Sequence, residues 1–388
     1  MSLPVGWERK KLSDFILLQR GFDLPNKKRR PGNYKVISAG DVHGWHNEYR
    51  VSGPGFTIGR VTNIGRPTWS EEDFWPLNTT LYAKDLFGND VKFAYYWFLG
   101  TDLSGYNSGS VQPTLNRNYI VNVPIDVPPV IEQQAIAATL GALDDKIESN
   151  RRTLNILFEL TNEIAKKMLS ENELKVHELG ELVAFNKSSI KTGQFAEIDY
   201  IDIKSVGQGN IESMIHYRFA DAPSRARRML HDGDVIYSTV RPERQAFSPI
   251  FMPEPNLIVS TGFAVMSPKE KIGTSFLTYI AGSESFAKYL ASAASGSAYP
   301  AVSVSAMGKY RVSLPANTTI LDLYEQMTLP MRRLGAQLLK ESQQVESLRD
   351  ALLPELMSGR ICVPEAQEAI AEVIPEEDDE HASKTSRG

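Results

Sequence analysis

Lysine and arginine clusters are the side chains of this sequence whose types and spacing suit a chemical task. Lys27, Lys28, Arg29 and Arg30 form a basic run in a loop bounded by Pro25 and Pro31. Arg60 and Arg66 flank the turn GRVTNIGRP. Farther along, Arg225, Arg227 and Arg228 cluster, and Arg241 and Arg244 follow a predicted strand. Cations of this kind neutralise phosphates, and guanidinium forks match base edges. Two S-G-S loops add hydroxyl and amide groups. Ser110 sits in NSGSVQPTLNRNYIV, with Asn116 and Arg117 after it; Ser297 sits in SGSAYPAVSV, with Tyr299. Glycine lets the backbone approach a ligand closely, and these neighbours can hydrogen-bond phosphate or bases. Plainer readings stand beside these: a basic run can be solvated surface, and an S-G-S loop can be a tight turn.

Catalytic constellations are sparse. The sequence has no G-x-x-x-x-G-K-[ST] phosphate loop and no N-P-P-[YF] or D-P-P-[YF] tetrapeptide. His43 and His46 lie three apart, but Gly44 argues for a loop rather than a helix that would share a metal. Asp232-Gly233-Asp234 reads as a turn entering the strand VIYSTV, and Asp199 with Asp202 is an equally weak cation signal. A lone cysteine, Cys362, rules out an internal disulfide and a cysteine-based zinc site. We therefore expect no metal, no cofactor and no catalysis in this chain.

The elements that must position these groups occur twice. The net charge is −5, yet Pro364 to Gly388 holds eight acidic residues against Lys384 and Arg387. That tail reads as disordered and carries about −6, so the remainder is close to neutral. Residues 1–127 sum to about +3 and residues 172–315 to about +1 or +2. Ser108, Gly109, Ser110 and Pro113 recur as Ser295, Gly296, Ser297 and Pro300, an offset of 187. Each set leads into a long helical stretch, and Trp7–Asp14 has a weaker counterpart in Val176–Leu182, which points to a duplication. In the first stretch Leu140, Leu143, Ile147, Leu154 and Leu157 mark a heptad seam. A shift of 191 gives Leu334, Leu338, Val345, Leu348 and Leu352, and sets Asn150 opposite Glu341. Such seams predict two helices packed as a coiled coil, although a helix docked on its own domain reads alike. Pro354 predicts a kink or fray near Leu353, and Gly359 a cap.

We expect an α+β chain: a first globular domain over 1–129, a helix over 130–171, a second domain over 172–316, a second helix over 317–360 and an acidic tail over 361–388. Helices of about 50–60 Å, lying antiparallel, would hold the domains apart. No apolar run suits a membrane span or a signal peptide, so a cytoplasmic setting is expected.

The arrangement resembles the specificity (S) subunit of type I restriction-modification enzymes over about residues 4–360. The resemblance is carried by LPVGWERKKLSDF, by FTIGRVTNIGRPTWSEEDFWPLNTTLYAKD, and by VPPVIEQQAI followed by L-x-x-L-D-D-K-I. In the second half HDGDVIYSTVRP and LRDALLPELMSGRI carry it, while SLPANTTILDLYEQM has drifted, with Glu325-Gln326 where Gln133-Gln134 stand earlier. It implies two target-recognition domains, each reading half of a split DNA sequence. It also implies helices that set the gap and dock two methyltransferase (M) subunits, with two restriction (R) subunits joining them. Catalysis, S-adenosylmethionine and ATP would then belong to the partner subunits.

Overall fold

The computed structural model describes residues 3–108, 114–296 and 299–373. The chain divides into two units, Met1–Glu148 with Ser342–Gly388, and Ser149–Glu341. The boundary falls inside both long helices, Val130–Ser170 and Thr319–Met357. Each unit is thus an α+β body that includes part of both helices.

Strand and helix order repeats between the units. In the first, Glu8–Lys11 pairs with Pro124–Val127, and the helical turn Leu12–Phe15 follows. In the second, Leu174–Glu178 pairs with Arg311–Pro315, and Leu179–Leu182 follows. A four-stranded sheet of the first unit runs Leu17–Arg20, Thr80–Asp85, Gly55–Gly59, Pro67–Ser70. Its counterpart runs Val183–Phe185, Phe263–Pro268, Val235–Ser238, Phe247–Pro249. A second sheet in each unit contains one parallel pair, Tyr34–Ser38 with Phe74–Pro76 and Glu197–Ile201 with Leu257–Ser260.

Packing explains why these elements hold. The helix Val91–Gly100 buries Phe93, Tyr96 and Phe98, and full burial of such side chains contributes about 1.5–3 kcal/mol each. Asp90 caps it by accepting from the Phe93 amide at 2.8 Å. Gln133, in the first turns of the long helix, donates to the Pro128 carbonyl and accepts from the Asp90 amide, tying the long helix to that cap. In the second unit Glu325 accepts from the Ser275 amide at the start of the helix Thr274–Ala281. The drifted Glu325 thus docks the long helix much as Gln133 does. Burial pushes its carboxyl above the usual range, against the pull of the Ser275 amide.

Within the second unit the two long helices run antiparallel. Asn150, 3% exposed, donates to Glu341 at 2.8 Å, and the Tyr324 hydroxyl donates to the Thr161 carbonyl at 3.2 Å. In the first unit Asp144 accepts from Tyr96 at 2.6 Å and from Arg349 at 2.8 Å. Leu140, Leu143, Val345 and Leu352 are buried there, with Ile147 and Leu348 packed against the same core. The seam departs from the heptad reading at Leu334, which is 42% exposed. Gly335 is buried against Leu154 in its place, and Leu157 and Leu338 are half-buried beside that face.

Three local expectations are corrected. The second helix continues through Pro354 to Met357, held by buried Leu352, Leu353 and Leu356, and the Pro354 carbonyl accepts from the Ser358 amide. Gly359 then caps it at φ 66°. His43 and His46 lie on the strand Asp41–His46, where positions three apart face opposite sides, rather than in a loop. The segment expected to open a disordered tail at residue 361 includes the helix Val363–Val373, because Ala366, Ala369 and Ile370 share a face that joins the first core.

Candidate nucleic-acid interface

In the first unit a turn leaves the strand Gly55–Gly59 and is pinned at its base. The Arg60 amide donates to Thr79, and the Arg60 carbonyl accepts from Leu115 at 2.8 Å, just beyond the first S-G-S segment. In the second unit the Thr239 amide donates to Gly262, and its carbonyl accepts from Val302 at 2.9 Å. Leu115 and Val302 are 187 residues apart, the offset seen in the sequence. Asn116 and Ser303 follow at the same offset and cap the next helical turns through Asn118 and Ala306. One clamp therefore holds an equivalent turn in both units.

Around the first turn lies a cleft of about 630 Å³ lined by Gln19, Arg20, Arg60, Lys84, Asn116 and Arg117. Four cations converge on it. Arg117 donates to the Leu18 carbonyl and Arg20 to the Asn78 carbonyl, and among the described residues none of the four is paired with a carboxylate. Burial, and then the charge of Arg20, pulls the Arg60 guanidinium below its usual range, though arginine stays cationic at neutral pH. Four unneutralised cations with an amide on one concave surface make a site for a polyanion with edges to read.

The second turn carries different chemistry. Arg241 lies over the Tyr299 ring at 5.2 Å, and its amide donates to the Pro300 carbonyl at 2.8 Å. Arg244 is exposed, and its carbonyl accepts from Gln208. Arg225 comes close through the backbone: its carbonyl accepts from Thr261, next to Gly262, which accepts from Thr239.

Other candidates lie elsewhere. Lys27 and Lys28 are exposed on the turn Asn26–Lys28. Arg29 donates to the His43 carbonyl, and the Arg30 amide donates to His46, so both brace the hairpin of the first unit's other sheet. Arg227 packs over Phe219 and Arg228 is half-buried on an edge strand, where burial lowers its guanidinium. Arg66 is exposed beside the first turn. Ser110 and Ser297 fall outside the described residues. Sequence reasoning missed Gln19, Arg20 and Lys84. Their only signal is polar positions on otherwise apolar strands, and their meeting depends on strand pairing.

Residues 4–158 match the family model described as "Type I restriction modification DNA specificity domain". The chain is 23% identical over 292 residues, 67% of each chain, to the type I restriction enzyme MjaVIII specificity subunit of Methanocaldococcus jannaschii. Its fold is similar to that of the crystal structure of a type I restriction-modification system S subunit from M. genitalium. That match has a TM-score of 0.67 and 18% identity, and covers 92% of this chain and 98% of the other. Over residues 4–158 the chain thus carries a type I restriction-modification DNA specificity domain, and its fold as a whole is similar to that of a type I S subunit.

Proposed function

We propose that each unit reads one half of a two-part DNA target, that the chain itself performs no chemistry, and that M subunits dock on the long helices and methylate the DNA. The observation that carries this reading is the recurrence in both units of the same clamped turn with cationic side chains. A protein that reads two separated half-sites needs two such surfaces, and the half-sites would lie about one helical turn, roughly 34 Å, apart. Basic side chains supply salt-dependent affinity, and amide and guanidinium groups supply base selection.

Two M subunits and two R subunits complete the assembly in this reading. S-adenosylmethionine and ATP are assigned to those partners, and the flipped adenine is theirs to hold. No helix among the described residues is long and apolar enough to cross a membrane. The cytoplasm, where bacterial and archaeal DNA lies, is the compartment this role requires.

The test is modified-base mapping by long-read sequencing of a host with and without this gene, supplied with its neighbouring methyltransferase. The expected result is one motif of two short halves around a fixed gap that is present only with the gene. An unchanged set of modified motifs overturns the reading.

A further inference from the structure

Two backbone positions bracket the second recognition turn in a conformation that L-residues avoid. Arg241 has φ 49° and ψ 56°, and Gln245 has φ 53° and ψ 42°. Neither is glycine, and each such position is strained for an L-residue. Arg241 also precedes Pro242, whose ring restricts the residue before it. Strain of this kind persists where the surroundings over-determine it. Here the Arg241 amide is held by Pro300, the Pro242 carbonyl accepts from buried Tyr237 at 3.0 Å, and the Gln245 amide donates back to Pro242.

The side chains add a second observation. Tyr299 is 72% exposed, and its ring lies under the Arg241 guanidinium at 5.2 Å. No carboxylate pairs with Arg241 among the described residues, although exposed Glu243 is two residues away. A guanidinium held over a ring by a cation–π contact keeps its N–H fork available, and the contact limits rotamer freedom before any ligand arrives. The equivalent clamped residue in the first unit is Arg60, which stands where Thr239 stands in the second, so Arg241 lies two residues beyond the clamp.

We propose that Arg241 and Tyr299 form a preassembled base-reading pair, in which Arg241 reads a guanine of the second half-site. The inference rests on the DNA-reading function above and deepens it. A phosphate contact requires only charge, which a mobile lysine supplies as well. A strained anchor and a ring contact fix direction, and a directed fork suits the two acceptors that guanine presents on one edge, O6 and N7.

The experiment uses the full chain in its complex with the methyltransferase. The unmodified protein and the Arg241→Ala, Arg241→Lys, Tyr299→Ala and Tyr299→Phe variants are compared by motif mapping and by methylation of oligonucleotides that differ at single positions. Copurification with the methyltransferase checks that each variant folds. Arg241→Ala is expected to relax one G·C position of one half, lowering discrimination there by roughly 10- to 100-fold, with the other half unchanged. Arg241→Lys and Tyr299→Ala should relax the same position in part, and Tyr299→Phe should preserve it. A uniform fall across all sequences would mark a phosphate contact and overturn the proposal, as would an unchanged motif or a half-site without G·C. If the unmodified chain directs no motif, the DNA-reading function fails, and the pair with it.

Discussion

Asn150 and Glu341 meet as a polar pair inside an otherwise apolar helix seam, and the pair sets up a double-mutant cycle. Asn150 is 3% exposed and donates to the Glu341 carboxylate at 2.8 Å. A hydrogen bond to a charged group is worth about 1.5–3 kcal/mol, and removing one partner leaves the other short of a bond in a poorly solvated place. Both residues take part in other interactions, so the coupling between them is the readout rather than the total loss. Asn150→Leu alone should destabilise the unit Ser149–Glu341 by about 2 kcal/mol. For a unit of that size the shift corresponds to about 4–8 °C in Tm. Glu341→Leu alone should act similarly. The double exchange should melt near or above the parent, because an apolar pair of matching volume replaces both groups. Differential scanning calorimetry of the four proteins gives the coupling. Additivity within about 0.5 kcal/mol would refute the idea that this pair is an energetic unit.

Three further outcomes are expected. Glu325 is raised by burial, so its ionised form is a stability penalty above the folded-state pKa, and the penalty disappears as pH falls below the unfolded value. Glu325→Gln, which copies Gln133, should flatten the Tm-against-pH curve between pH 4 and 8 without lowering Tm at neutral pH; a clear loss at neutral pH would mean that the carboxylate's attraction to the helix start dominates. Tyr96→Phe removes a buried donor to Asp144 and should destabilise the first unit by about 1–2 kcal/mol in urea unfolding, whereas no change would show that Arg349 alone satisfies that carboxylate. Arg332 buries its Nε and one Nη without an acceptor among the described residues, beside an apolar cavity of about 100 Å³. Arg332→Met should raise stability by about 1 kcal/mol, and a marked fall in Tm would show that the guanidinium's interactions with Tyr324 and Glu325 outweigh its two unmatched N–H groups.

Much of the architecture was legible because it rests on periodicity. The long helices were expected over 130–171 and 317–360 and span Val130–Ser170 and Thr319–Met357. The offset of 187 between S-G-S segments reappears as the matched hydrogen bonds at Leu115 and Val302. Asn150 opposite Glu341 followed from a shift in heptad numbering and is a direct contact. The misses arise where packing overrides pattern. Leu334 fits an apolar heptad, but the neighbouring Gly335 is the residue buried against Leu154. Pro354 should have weakened the helix end, but three buried leucines hold the last turn. The cleft of the first unit was half visible. Arg60, Asn116 and Arg117 stand out by type, whereas Arg20 and Lys84 join them only through the pairing of Leu17–Arg20 with Thr80–Asp85. Composition says nothing about that register.

The two units differ in how the chain builds them. The second is one uninterrupted segment, whereas the core of the first needs Val345, Leu352, Leu353 and Leu356 from beyond residue 341. On a ribosome adding about 5–20 residues per second, the 193 residues of Ser149–Glu341 take roughly 10–40 s to appear. Throughout that time Phe93, Leu140 and their neighbours have no leucines from the second helix to cover them. The first-made unit is thus the last to close, and its nascent core is the natural client for a chaperone.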